Sequence, residues 1–336
     1  MFSNRDLKQM IFPLFAEQFL AMLVGIADIF IVSFVSETAV SGVSLVNAFN
    51  TVFIYLFTAL ASGGAVVISQ YIGRKESENA SESASQLLSV SILFSIFISA
   101  VILIFGKTLM RLMFGKVENG VMLACIAYLK ISAYSYPAIA VYNAGAAVYR
   151  SIGKTKTTMY ISVISNIINI IGNIIGVFVL KAGIAGVAYP SLIARTFSAV
   201  AITVLCFKEH NAVMYKRNYV FEWNGNLIKR ILNIAVPNGI ESGIFQLVKV
   251  ALSSVVALFG TYQIAANGIA QSIWSMASLV CMSMGPIFIT VIGQCMGAAD
   301  IEQAEFYFKK LLRLTVIMSV IWNTLIFILT PVILYF

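Results

Sequence analysis

The chain has 336 residues, 60% of them hydrophobic and only 11% charged, with a formal net charge of +8. That composition excludes a soluble globular domain and requires a lipid bilayer. The positive charge is no argument for nucleic-acid binding, which needs a basic soluble surface.

Apolar segments long enough to cross the hydrocarbon core, roughly 20 residues each, run at about 9–34, 39–72, 84–105, 121–149, 157–180, 184–206, 230–258, 263–296 and 311–334. They predict about nine transmembrane helices. None has the alternation of a barrel strand, and backbone amides cannot go unpaired in lipid, so an all-α polytopic fold is expected. With the N-terminus in the cytoplasm, fifteen Lys and Arg fall in inner loops, against Lys107, Arg111, Lys116 and Lys181 outside. This bias orients the chain N-in, in the cytoplasmic membrane. The first apolar stretch holds Pro13 and Glu17 and runs on as a full span, so no cleavable signal is expected.

The first span carries Glu17 and Asp28, eleven residues apart, hence on one helix face and roughly 16 Å apart along the axis. Ala21 and Gly25 lie between them. A carboxylate in a span costs a few kcal/mol or more and needs something to repay it. For Asp28 that is a cavity or ion-coupling role, or pairing with Lys130 or Arg195 within later spans. The fourth span crowds Tyr128, Tyr134, Tyr136, Tyr142 and Tyr149, which suit interfacial anchoring or stacking on an aromatic cation. On the fifth, Ser162, Asn166, Asn169, Asn173 and Gly176 recur at steps of 4, 3, 4 and 3 and share a face that avoids lipid. That face either hydrogen-bonds to neighbouring helices or lines a cavity, and Gly172 with Gly176 favours close packing. The seventh span carries Glu241 and Lys249. Lys130, Arg195 and Lys249 can each snorkel, neutralise a carboxylate or meet an anionic ligand.

The chain also resembles itself. Residues 13–80 align without a gap on 237–304, pairing Pro13 with Pro237, Glu17 with Glu241, Gln70 with Gln294, Gly73 with Gly297 and Glu78 with Glu302. Such repeats mark secondary transporters. The matched position of Glu17 and Glu241 after a proline also fits a shared packing or capping role. Six spans precede the second copy, so the repeats run parallel. The expected organisation is a six-helix lobe at 1–206, a polar cytoplasmic linker at 207–228 and a partial second lobe at 229–336. A full second copy needs three more spans, so the chain by itself is expected to be truncated and unstable or inactive.

Cys125, Cys206, Cys281 and Cys295 show no pairing motif, and the single His210 falls in a polar loop. No metal or organic cofactor is expected. Neither a His-Glu-x-x-His nor a Gly-x-Ser-x-Gly motif occurs, so no enzyme is expected.

Several motifs resemble a known family. Pro-Leu-Phe-Ala-Glu-Gln at 13–18 leading to Gly-Ile-Ala-Asp at 25–28, and Ile-Ser-Gln-Tyr-Ile-Gly at 68–73 echoed by Ile-Gly-Gln-Cys-Met-Gly at 292–297, are similar to multidrug and toxic compound extrusion (MATE) transporters. So are Tyr-Arg-Ser-Ile-Gly-Lys-Thr-Lys at 149–156 and Pro-Asn-Gly-Ile-Glu at 237–241 with Phe-Gln-Leu-Val-Lys at 245–249. The resemblance implies a two-lobed, twelve-helix exporter that exchanges external H⁺ or Na⁺ for cationic amphipathic drugs, with Asp28 as the coupling acid. Glu17, Gly25, Asn166, Asn169, Asn173, Arg195, Glu241 and Lys249 are the cavity or substrate-pathway candidates. The expected partners are toxic organic cations and the bilayer, with the protein a monomer. A flippase for lipid-linked anionic saccharides, motivated by the three intramembrane bases, and a non-transporting fragment are the alternatives.

Overall fold

The computed structural model describes residues 2–114, 117–208, 211–257 and 261–335, with the side chains of some residues in 247–268 and 332–335 left out. His210 lies outside the described residues. The described chain is helical: α1 (Asn4–Ser33), α2 (Glu37–Gly73), α3 (Ser77–Phe114), α4 (Asn119–Tyr134), α5 (Tyr136–Ser151), α6 (Thr155–Ile174), α7 (Ala185–Cys206), α8 (Arg217–Phe221), α9 (Gly225–Ala257), α10 (Thr261–Ala277), α11 (Leu279–Gly297) and α12 (Ile301–Tyr335). A π-helical turn, Ile175–Val179, prolongs α6.

Among the described residues seven helices are long and apolar enough to span a membrane, or eight if the bent pair α4 and α5 is one crossing. The chain is thus a multi-pass membrane protein, but the nine-span count is not reproduced. The remaining segment, 230–258, lies in the 33-residue α9, several of whose side chains lie outside the described residues, and is not among the seven. The segment at 121–149 is not one straight helix. It bends by 44° between α4 and α5, where Pro137 in the first turn of α5 supplies no amide to continue the ladder. A second break, at Ser278, separates α10 from α11.

The duplication extends to helix ends. α2 ends at 73 and α11 at 297, and α3 starts at 77 and α12 at 301, both pairs 224 residues apart. The turn after α2 places Lys75 at φ 63°, and the turn after α11 places Ala299 at φ 57°, again 224 apart. Both left-handed residues close the same pattern, Glu76 N–H to Tyr71 O and Asp300 N–H to Cys295 O. Non-glycine residues seldom adopt this conformation, so its recurrence is a property of the duplicated backbone.

The two copies meet where α2 crosses α11. A Cβ on Gly73 would lie 2.0 Å from the Gln294 carbonyl oxygen, and one on Gly297 would lie 2.0 Å from that of Gln70. Each residue contacts its partner's repeat equivalent, as a two-fold axis between parallel repeats demands. Gly176 and Gly186 bring α6 and α7 together in the same way, and Gly172 sits against Pro190. The small-residue pair read on the fifth span therefore serves helix packing.

The polar stretch after α7 is docked rather than loose. Serines at 77, 81, 85 and 89 form an i, i+4 line on the first turns of α3. Ser81 and Ser85 accept from the Met214 and Lys216 amides at 3.2 and 3.0 Å, and Ser89 donates to the Val220 carbonyl at 2.7 Å. Buried Gln86 donates to the Tyr219 and Glu222 carbonyls at 2.6 and 2.5 Å and accepts from the Asn224 amide at 3.3 Å. Gln86→Leu leaves those carbonyls unpaired and is expected to cost about 1–3 kcal/mol. Hydrogen exchange across 214–224 should accelerate at least several-fold, and unchanged protection would show that Gln86 does not hold the segment.

Candidate functional site

The two acids of α1 both face α6, as their eleven-residue spacing requires, and they have different surroundings. Asp28, half-buried, accepts from Asn173 Nδ2 at 2.6 Å. The same nitrogen reaches Asn169 Oδ1 at 3.2 Å, and Asn169 donates to Ser191 Oγ on α7 at 2.9 Å. The polar face of the fifth span thus makes interhelical hydrogen bonds and also meets Asp28. Asn173 Oδ1 and Asn166 Nδ2 are buried without a hydrogen-bond partner among the described residues. A Cβ on Gly25 would meet nothing within 4 Å, so open space adjoins the stripe that leads to Asp28.

No ion pair joins Asp28 to Lys130 or Arg195; the ion pairs among the described residues are Glu17–Arg150, Glu78–Lys216 and Glu305–Lys309. Arg195 instead donates to Ser135 Oγ at 2.7 Å, where the bend between α4 and α5 presents that hydroxyl. Buried Tyr136 donates to Asn50 at 2.7 Å, next to the same bend. Lys130 is exposed on α4, and Lys249 on α9 lies 3.6 Å from the Trp274 ring centroid and 5.0 Å from that of Phe245. The three intramembrane bases therefore sit on different helices and do not converge on one site.

Glu17 is buried and fully engaged. Its carboxylate accepts from Arg150 at 2.8 Å, Thr158 at 3.0 Å and Tyr142 at 3.1 Å, joining α1 to α5 and α6. The backbone at the same point holds the second copy: Thr290 donates to the Arg150 carbonyl at 3.0 Å and Gln294 to that of Ser151 at 2.8 Å. Arg150 also lines a narrow cavity of about 60 Å³ with Thr58, Ser62, Asn143 and Thr290. Arg150 is not among the candidates that the sequence offers for the site; it falls in the inner-loop charge count and in the motif at 149–156. Glu241, the repeat equivalent of Glu17, is exposed and has no ion pair among the described residues. Among the described residues the two positions therefore do not share an environment.

Among the described residues there is no group of three or more His, Cys, Asp and Glu side chains able to hold a metal.

Comparison with known proteins was made by family, by sequence and by structure. The MatE family model matches residues 13–175 and 237–336, with the two matches beginning on Pro13 and Pro237. An uncharacterized transporter, YisQ, of Bacillus subtilis is 26% identical over 87% of this chain and 64% of its own length. A probable multidrug resistance protein, NorM, of Thermotoga maritima is 23% identical over 89% and 64%. The chain thus spans somewhat less than two thirds of the length of these relatives. A solved MATE structure in complex with MaL6 superposes with a TM-score of 0.89 at 20% identity, covering 98% of this chain and 73% of that one. An outward-facing MATE family transporter of the MOP superfamily gives 0.86 at 21%, covering 92% and 68%. The structures share the fold, the family match covers well over half of the residues, and the chain belongs to the MatE family.

Proposed function

We propose that the chain serves multidrug efflux by cation-coupled antiport, exchanging H⁺ or Na⁺ for amphipathic organic cations across the cytoplasmic membrane. In this reading residues 1–206 form one lobe, 207–228 the linker and 229–336 part of a second lobe, with the N-terminus cytoplasmic and the protein a monomer. The multidrug resistance named for relatives such as NorM supports the substrate class.

The observation that carries the mechanism is Asp28: a carboxylate in a span, hydrogen-bonded to Asn173 and lacking an ion-pair partner among the described residues. Such a carboxylate can exchange its counter-ion. A proton neutralises it, and Na⁺ can be held by its oxygens with the unpaired Asn173 Oδ1, since hard cations take oxygen ligands. A cationic drug favours the ionised form, so drug and coupling ion compete for one charge state, and competition is what antiport requires. Asn169 and Ser191 hold Asn173 in place to read that state. Gly25, Asn166, Arg195, Glu241 and Lys249 remain candidates for the pathway wall.

Competition is directly measurable. Tetraphenylphosphonium binding to the purified chain should weaken on acidification or on adding Na⁺. Asp28→Asn keeps the shape and the Asn173 contact, and its binding should become insensitive to both. In vesicles where the parent drives dye export under an imposed H⁺ or Na⁺ gradient, export by the Asp28→Asn variant should collapse. A variant with the parent's pH and Na⁺ dependence would make Asp28 structural and remove the coupling assignment.

A further inference from the structure

We propose that the first turns of α1 and α6 form a binding site for the headgroup phosphate of an anionic phospholipid. Arg5, Lys8 and Lys156 line a cavity of about 470 Å³ together with Asn4, Gln9 and Phe12. Arg5 and Lys8 are one turn apart on α1, and Lys156 comes from the first turn of α6, so three positive charges converge from two helices.

Among the described residues no carboxylate lines this cavity. Asp6 is the acid next along α1, and its carboxylate accepts from the Ser3 amide at 2.8 Å in the helix cap. Among the described residues none of the three bases forms an ion pair. Lys156 also stands at the positive end of the α6 dipole, where the first turn holds no acidic residue. Like charges gathered in this way are relieved by a bound anion.

Phe12 identifies the anion as part of a lipid. It is 73% exposed and forms a wall of the cavity one turn beyond Lys8, on the membrane side of the bases. A phosphate held by Arg5, Lys8 and Lys156 therefore directs acyl chains along Phe12 into the bilayer. Basic pockets between helices at the inner surface recognise lipid headgroups by this combination of charge and depth. A water-soluble phosphate ester would gain nothing from the exposed ring.

The test titrates the purified chain in detergent with dioleoylphosphatidylglycerol, dioleoylphosphatidylcholine or glycerol 3-phosphate and counts bound molecules by native mass spectrometry. Phosphatidylglycerol should be retained, phosphatidylcholine should not, and millimolar glycerol 3-phosphate should not displace the lipid. Arg5→Gln, Lys8→Gln and Lys156→Gln combined should weaken retention about 100-fold, by the typical contribution of each base near an anionic surface. Arg5→Lys, Lys8→Arg and Lys156→Arg combined should keep it, and Lys107→Gln with Arg111→Gln should change nothing. If the triple glutamine variant does not fold, Lys156→Gln alone decides, with a loss of about fivefold expected. Equal phosphatidylglycerol retention by parent and glutamine variant, equal retention of phosphatidylcholine, or displacement by glycerol 3-phosphate would each overturn the assignment.

Discussion

Replacing Glu17 by alanine is expected to destabilise the protein by about 3–5 kcal/mol, the usual cost of stripping one partner from a buried ion pair. The loss exceeds one contact. Arg150 would stay in the interior with its charge uncompensated, its Nε already buried without a partner among the described residues, and Tyr142 and Thr158 would each lose one of two acceptors. Glu17→Gln keeps the shape and an acceptor oxygen but removes the charge, so it should fall between parent and alanine. Glu17→Met with Arg150→Met removes both charges at similar volume and should recover much of the deficit, because the desolvation cost of both ions disappears. Thermal unfolding of these proteins together with the Glu17→Met and Arg150→Met single variants, in one detergent, closes the cycle. A Glu17→Ala melting temperature within a degree of the parent, or a double variant as unstable as the sum of the single ones, would mean that the pair does not hold α1 to α5 and α6.

This ion pair also marks where sequence reasoning stops. Glu17 was legible as a charge needing repayment, and its spacing from Asp28 placed both acids on one face, which the structure turns toward α6. Its partner was not legible, because Arg150 lies 133 residues away at a span end, where a count of loop charges treats every base as solvated. Asp28 is legible as a carboxylate within a span and Asn173 as part of a face that avoids lipid, but their contact depends on the parallel packing of α1 and α6, which no local pattern encodes. The docking of the linker is hidden for a related reason: the serines and Gln86 of α3 meet backbone carbonyls and amides, which carry no residue signature. The bend before Pro137 had a visible cause, yet hydropathy alone joined both halves into one span. The duplication was the most legible feature, since glycine, glutamine and proline at one constant offset report backbone geometry more than hydrophobicity.

Gly73→Val is expected to be the most disruptive change at the contact between the two copies, and Gly297→Val its near equal. The added Cβ would sit 2.0 Å from a backbone carbonyl oxygen, Gln294 in one case and Gln70 in the other, and backbone at a helix crossing cannot swing aside as the end of a side chain can. The helices must separate, which costs about 1–3 kcal/mol for ordinary overpacking and more where backbone has to move. Separation would also stretch the nearby bonds from Gln294 to the Ser151 carbonyl and from Arg230 to Gln70 Oε1, at 2.8 and 2.5 Å. Gly285→Ala is the control, because a Cβ there meets nothing within 4 Å and alanine suits a helix interior better than glycine by about 1 kcal/mol. The double variant should be less damaging than the sum of the two single ones, since helices already parted accept the second methyl groups at little further cost. Hydrogen exchange over 66–73 and 290–297 with thermal unfolding would measure this, and additive losses or parent-like protection would show that α2 and α11 do not share one close crossing. The crossing lies at the membrane face that holds the start of α1. In the proposed orientation, with the N-terminus cytoplasmic, the crossing lies on the cytoplasmic side, so the same substitutions should raise cysteine accessibility from that side at Ser62 and Asn143, which line the narrow cavity beside Arg150.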